Sequence, residues 1–278
     1  MIKLVAAALT DKGLTRDENE DSVWAEVHYT SYHKPVGLFV VCDGMGGHMG
    51  GKYASYWAVE AIKREFSDLF FNKDPRATVV LTDEDIKAVQ AGKMISPEPT
   101  EPDIEVRVQR AIQKANQVVY EYAQHKPNQA ADAGTTVSMA VVFGNRAVIA
   151  NEGDSRTYLL RDHKLKQVSK DHSLVASMVA TGQILPNELY THPQRNVIFR
   201  FLGQQGLVQA DIFHLWMEPG DYLLLCSDGF WEMVRSDEQI IETIEKAKDP
   251  KQACQSLIDA ANEAGGEDNI GVVVVQVT

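Results

Sequence analysis

Three short apolar runs of this 278-residue chain each meet an aspartate at one end. Gly37 to Cys42 leads into Asp43-Gly44, Tyr222 to Cys226 leads through Ser227 into Asp228-Gly229, and Asp268-Asn269 opens the run Ile270 to Val277. A carboxylate at a strand terminus is held on a rigid scaffold, and a following glycine leaves the backbone carbonyl open to a cation and its water. Mg²⁺ and Mn²⁺ are hard ions that take oxygen ligands and keep several waters, so a few aspartates and one carbonyl suffice to hold them. A lone Asp-Gly is ordinarily a turn. Its repetition after similar runs points to metal, although spacing alone does not make the three carboxylates converge.

The elements that would position these residues follow from periodicity. Gly37 to Cys42, Thr136 to Phe143, Ala147 to Asn151, Tyr222 to Cys226 and Ile270 to Val277 are short and rich in Val, Ile and Leu, as buried strands are. The apolar start, Met1 to Leu9, reads as a first strand, being too short and lacking a cleavage site for a signal peptide. Ala54, Ala58, Ile62, Phe66 and Leu69 share one helical face; Val108, Ala111, Ile112, Ala115, Val119 and Tyr122 share another. Ser236 with Gln239, and Asp249 before Pro250, are helix starts, and the last helix should stop near Gly265-Gly266. Strand clusters interleaved with helices favour an α+β fold, a mostly antiparallel sheet core covered by helices.

The chain is expected to form a single domain over residues 1–278. Two stretches look added: an insertion at 71–103 carrying four prolines around a short helix from near Thr82, and a flap segment at 173–200 beside the cleft. A formal net charge of −12 argues against a nucleic-acid or anionic-membrane surface, since phosphate backbones are bound by clustered Lys and Arg. An acidic protein that handles phosphate should recruit cations. Cys42, Cys226 and Cys254 are far apart, without C-x-x-C pairing, and read as free thiols. No apolar stretch is long enough to span a bilayer, so a cytoplasmic location is expected.

Further motifs join the aspartates: Arg16-x-x-Asn19-Glu20-Asp21, Val41-Cys42-Asp43-Gly44-Met45-Gly46-Gly47-His48, Gly134-Thr135-Thr136, Gly153-Asp154-Ser155-Arg156, Ser227-Asp228-Gly229 and Glu267-Asp268-Asn269. In this order, from near Lys12 to the C-terminus, the set resembles the bacterial type of the metal-dependent, type 2C serine/threonine protein phosphatases. The resemblance implies a four-layer α/β/β/α sandwich of two antiparallel sheets flanked by helices, with a binuclear Mn²⁺ or Mg²⁺ centre at one end. By motif, Asp43 would bridge the two ions, the Gly44 carbonyl would complete one shell, and Asp228 and Asp268 would hold the second ion. Glu20 and Asp21 would act through metal-bound waters or orient the ligands. Arg16 would pair with phosphate oxygens, a guanidinium being matched to them.

The activity so implied is hydrolysis of phosphoserine and phosphothreonine in proteins by a metal-bridging water or hydroxide, without a covalent phosphoenzyme. Its alternative is a non-catalytic phosphoprotein-binding module of the same fold, against which the intact Asp43, Asp228 and Asp268 speak. Phosphoproteins and a cognate Ser/Thr kinase are the implied partners of a monomer. A third, weaker ion would use Asp132, although Ala133 departs from the family's usual residue there. Met45 stands where eukaryotic relatives have a His, which leaves the leaving-group acid open, and no motif supports His48, His172 or His192 in that role. Asp154 is read as supporting the sheet and cleft floor.

Overall fold

The computed structural model describes residues 2–30, 33–46, 50–70, 90, 101–126, 130 and 132–278. The insertion at 71–103 and the helix near Thr82 therefore lie largely outside the described residues, as do Gly47 and His48.

Eleven strands are described: β1 (Leu4–Asp11), β2 (Asp21–Tyr29), β3 (Pro35–Met45), β4 (Gly134–Thr135), β5 (Val137–Phe143), β6 (Arg146–Glu152), β7 (Arg156–Arg161), β8 (Lys164–Gln167), β9 (Asp211–Trp216), β10 (Tyr222–Cys226) and β11 (Ile270–Val277). Helices α1 (Gly50–Phe70), α2 (Glu101–His125), α3 (Leu174–Ala180), α4 (Asp228–Trp231), α5 (Asp237–Lys246) and α6 (Pro250–Glu263) accompany them. One sheet runs β1-β11-β10-β7-β8; the other runs β2-β3-β5-β6-β9, with β4 paired to the end of β3. The pairings are antiparallel.

Alternation along each strand builds the layers. In β3, Leu38, Val40 and Cys42 pack with α1 and α2, while Phe39 and Val41 turn to the opposite sheet. In β11, Val272 and Val274 face α6, and Val273 and Val275 meet the other sheet. A strand buried on both faces reads as a continuous apolar run for this reason. The predicted faces of α1 and α2, from Ala54 to Phe66 and from Val108 to Val119, are buried in that same first layer. Ser236 and Asp249 cap α5 and α6 by accepting from the amides of Gln239 and Gln252. The architecture is the expected α/β/β/α sandwich.

The antiparallel register also decides where the carboxylates go. Asp21 at the start of β2 lies opposite Asp43 near the end of β3. Cys226 at the end of β10 lies opposite Val272 near the start of β11, so Asp228 and Asp268 leave their sheet at the same strand ends, along one edge of the sandwich.

Candidate metal centre

At that edge a cleft of about 280 Å³ is lined by Arg16, Glu20, Asp43, Gly44, Asp154, Asp228 and Asp268, among others. Each carboxylate is held through its backbone. The Asp43 amide donates to Thr136 Oγ1 at 3.0 Å, and its carbonyl accepts from Thr135 Oγ1 and the Thr136 amide, each at 2.8 Å. The Gly-Thr-Thr motif thus clamps the end of β3. Asp228 opens α4 directly after β10, and its carbonyl accepts from the Glu232 amide. Asn269 ties the acidic loop down: its Oδ1 accepts from the Glu20 amide and its Nδ2 donates to the carbonyls of Lys12 and Glu18.

Gly44 permits a close crossing of β3 and α1. A methyl there would stand 2.6 Å from the Glu20 carbonyl oxygen and closer still to that of Gly51. Across this contact Ser55 Oγ, in α1, donates to the Glu20 carbonyl at 2.5 Å, and burial raises the Glu20 carboxyl.

Concentrated negative charge dominates the electrostatics. Burial, then the charge of Asp228, pushes the Asp43 carboxyl well above the usual range. Burial and then Asp268 raise Asp228; burial and then Asp228 raise Asp154. Asp21 is buried, and that burial pushes it up to about 8 against a 2.6 Å hydrogen bond donated by Ser227 Oγ. Its Oδ1 has no partner. Arg16 donates to Asp268 at 2.6 Å, and that bond raises the guanidinium further.

Crowded carboxylates repel one another unless cations offset them. The oxygen-only donor set, the unpartnered Asp21 Oδ1 and a single lining guanidinium fit divalent ions such as Mn²⁺ or Mg²⁺. Among the described residues no three acidic, His or Cys side chains form a ready cage, and Asp268 turns to Arg16.

The structure thus gathers Arg16, Glu20, Asp43, Gly44, Asp228 and Asp268 in one cleft and sets Asp21 just beneath it. Asp132 is exposed and does not line the cleft, although its backbone packs against Gly46, which does. Asp154, expected to support the cleft floor, lines the cleft itself. Trp231 Nε1 donates to the Asp154 carbonyl at 3.0 Å, and the Arg156 guanidinium lies 3.5 Å from the Trp231 ring. The partners of that turn are remote in sequence, so the motif alone did not show its aim. Asn196 and Ile198, from the 173–200 segment, also line the cleft.

A family model described as protein phosphatase 2C matches residues 18–260. The chain belongs to the protein phosphatase 2C family. This phosphatase is 34% identical over 267 residues to the serine/threonine phosphatase stp of Listeria monocytogenes, covering 96% of this chain and 93% of that one. It is 33% identical over 271 residues to PstP of Mycobacterium tuberculosis, covering 98% of this chain and 44% of the relative. The crystal structure of the PstP catalytic domain in complex with two manganese ions superposes with a TM-score of 0.78 at 30% identity, covering 100% of each chain. A Streptococcus agalactiae serine/threonine phosphatase gives 0.79 at 28% identity, covering 99% of each.

Proposed function

We infer that this phosphatase hydrolyses phosphoserine and phosphothreonine in proteins, with Asp43, the Gly44 carbonyl, Asp228 and Asp268 as ligands of two divalent ions, Mn²⁺ or Mg²⁺. The observation that carries the reading is the convergence of these residues from the ends of both sheets on one open cleft beside Arg16. Bound divalent ions supply a nucleophile at neutral pH and offset phosphate charge. Arg16 binds and orients the substrate: its exposed guanidinium exchanges Asp268 for phosphate oxygens, to which forked N–H donors are matched. Glu20, held through its backbone by Asn269 and Ser55, and Asp21, fixed by Ser227, hold water and orient the ligands.

A third, weaker ion would use Asp132, whose backbone packs against Gly46 at the cleft edge. Its test is Mn²⁺ titration calorimetry of Asp132→Asn, which should lose the weakest site and keep two. Among the described residues no helix is long and apolar enough to cross a membrane; as part of the same proposal, the enzyme is a cytoplasmic monomer that reverses a Ser/Thr kinase. The decisive experiment is phosphate release from a phosphothreonine peptide with Mn²⁺, with a chelator, and by Asp228→Asn. Turnover abolished by the chelator and reduced at least about a hundredfold by the substitution is expected. Folded, metal-loaded protein without turnover would leave a phosphoprotein-binding module.

A further inference from the structure

A second concavity of about 280 Å³ adjoins the cleft, lined by Asn19, Asp21, Ser22, Lys52, Tyr53 and Tyr56. The wall between the two is thin. Glu20 lines the cleft while its neighbours Asn19 and Asp21 line the groove, and Ser55 of α1 donates to the Glu20 carbonyl at 2.5 Å. Along its outer side α1 carries Tyr53, Tyr56 and Trp57 at i, i+3 and i+4, hence on one face. They are 39%, 48% and 40% exposed, on a helix whose opposite face packs on α2 and β3. The rings are ordered against one another and the core: Tyr56 meets Trp57 edge-on at 5.1 Å, and Tyr53 packs on Tyr122 at 5.7 Å. Rigid, exposed aromatics are the anchors that polypeptide partners bury.

We propose that this groove and ridge bind the substrate's own polypeptide, an extended segment flanking the phosphorylated residue with an apolar side chain against Tyr56 and Trp57. The occupant follows from continuity with the cleft and rests on the phosphatase reading. A cleft of that volume takes a phosphoryl group and one side chain, so the flanking chain must cross its rim. Lys52 to Tyr56 spans about 6 Å of helix, roughly two residues of extended chain, so the anchoring side chain lies two to four positions from the phosphothreonine, about three.

The test uses the full chain with Mn²⁺ and three substrates. These are a phosphothreonine peptide with Leu three positions before and after the phosphorylated residue, the same peptide with Ser at both, and p-nitrophenyl phosphate. The unaltered chain should favour the Leu peptide in kcat/KM by about five- to tenfold. Tyr56→Ala with Trp57→Ala should erase that preference through KM and leave p-nitrophenyl phosphate turnover unchanged, while Tyr56→Phe with Trp57→Phe keeps most of it. A preference that survives the alanines, or none at the outset, overturns the proposal. So does equal loss on all three substrates, which would make the rings structural, or a concentration-dependent dimer lost in the alanine variant, which would give the face to a second copy. Absence of turnover on every substrate would instead sink the phosphatase reading.

Discussion

Ser227 joins two strands and a buried acid through one hydroxyl: it donates to Asp21 Oδ2 at 2.6 Å and accepts from the Gly271 amide at 2.8 Å. Both partners, Asp21 and Gly271, are buried, as is Ser227 itself. Ser227→Ala would leave an amide and a carboxylate without their bond, costing about 1–3 kcal/mol. Because Asp21 then loses its orientation beside Asp43, Mn²⁺ affinity should fall by about 10- to 100-fold. Titration calorimetry reads the affinity and denaturant unfolding reads the stability; unchanged affinity in the folded variant would remove Asp21 from the metal centre. The three leading aspartates were legible because each abuts a run that can only be a buried strand. The roles of Ser227 and Asp154 were not, for their partners lie as far away as Asp21 and Trp231, and linear spacing carries no such information.

At the scale of elements, the central strands β3, β5, β6, β10 and β11 were readable from apolar runs because both of their faces are covered. Strands β2, β8 and β9 lie at sheet edges, half exposed with polar residues interspersed, and show no such run. The crossing of β3 and α1 through Gly44 and Gly51 is equally silent in a pattern of hydrophobicity. Gly44→Ala should destabilise the fold by about 1–3 kcal/mol, since a methyl would force α1 off the strand. It should also reduce turnover by displacing Glu20. Unaltered unfolding would show the two backbones able to part freely.

The segment 173–200 is tied to the core by His172. Its Nδ1 accepts from the Gly153 amide at 3.1 Å, while Arg200, Asp211 and Glu152 surround the ring. Burial, then the Arg200 charge, lowers the imidazole pKa. The unfolded chain, with His near about 6.5, therefore binds the proton before the folded one does. The stability is full above that value and is lost as pH falls through it. Thermal unfolding of the native chain should weaken between about pH 7 and 5.5 more than that of His172→Gln; parallel curves would show that the ring is protonated freely in the fold.

On the scale of the whole molecule, a chain of net charge −12 gathers Glu20, Asp43, Asp154, Asp228 and Asp268 in one cleft with Arg16. Such a site lowers the stability of the metal-free fold, because burial and mutual repulsion disfavour the ionised forms. Divalent ions reverse the balance, adding about 2.7 kcal/mol at a hundred times their dissociation constant. For a chain of this size that is a rise of about 5–10 °C in Tm. Asp228→Asn removes one of the repelling charges and one of the ligands together. Without metal the variant should therefore melt above the native chain; with saturating Mn²⁺ it should melt below it. Scanning calorimetry of both proteins, with chelator and with Mn²⁺, tests that crossing. If the variant were less stable in both conditions, Asp228 would be serving the fold through its place at the start of α4. If Mn²⁺ raised both equally, the ion would be binding elsewhere on this acidic surface.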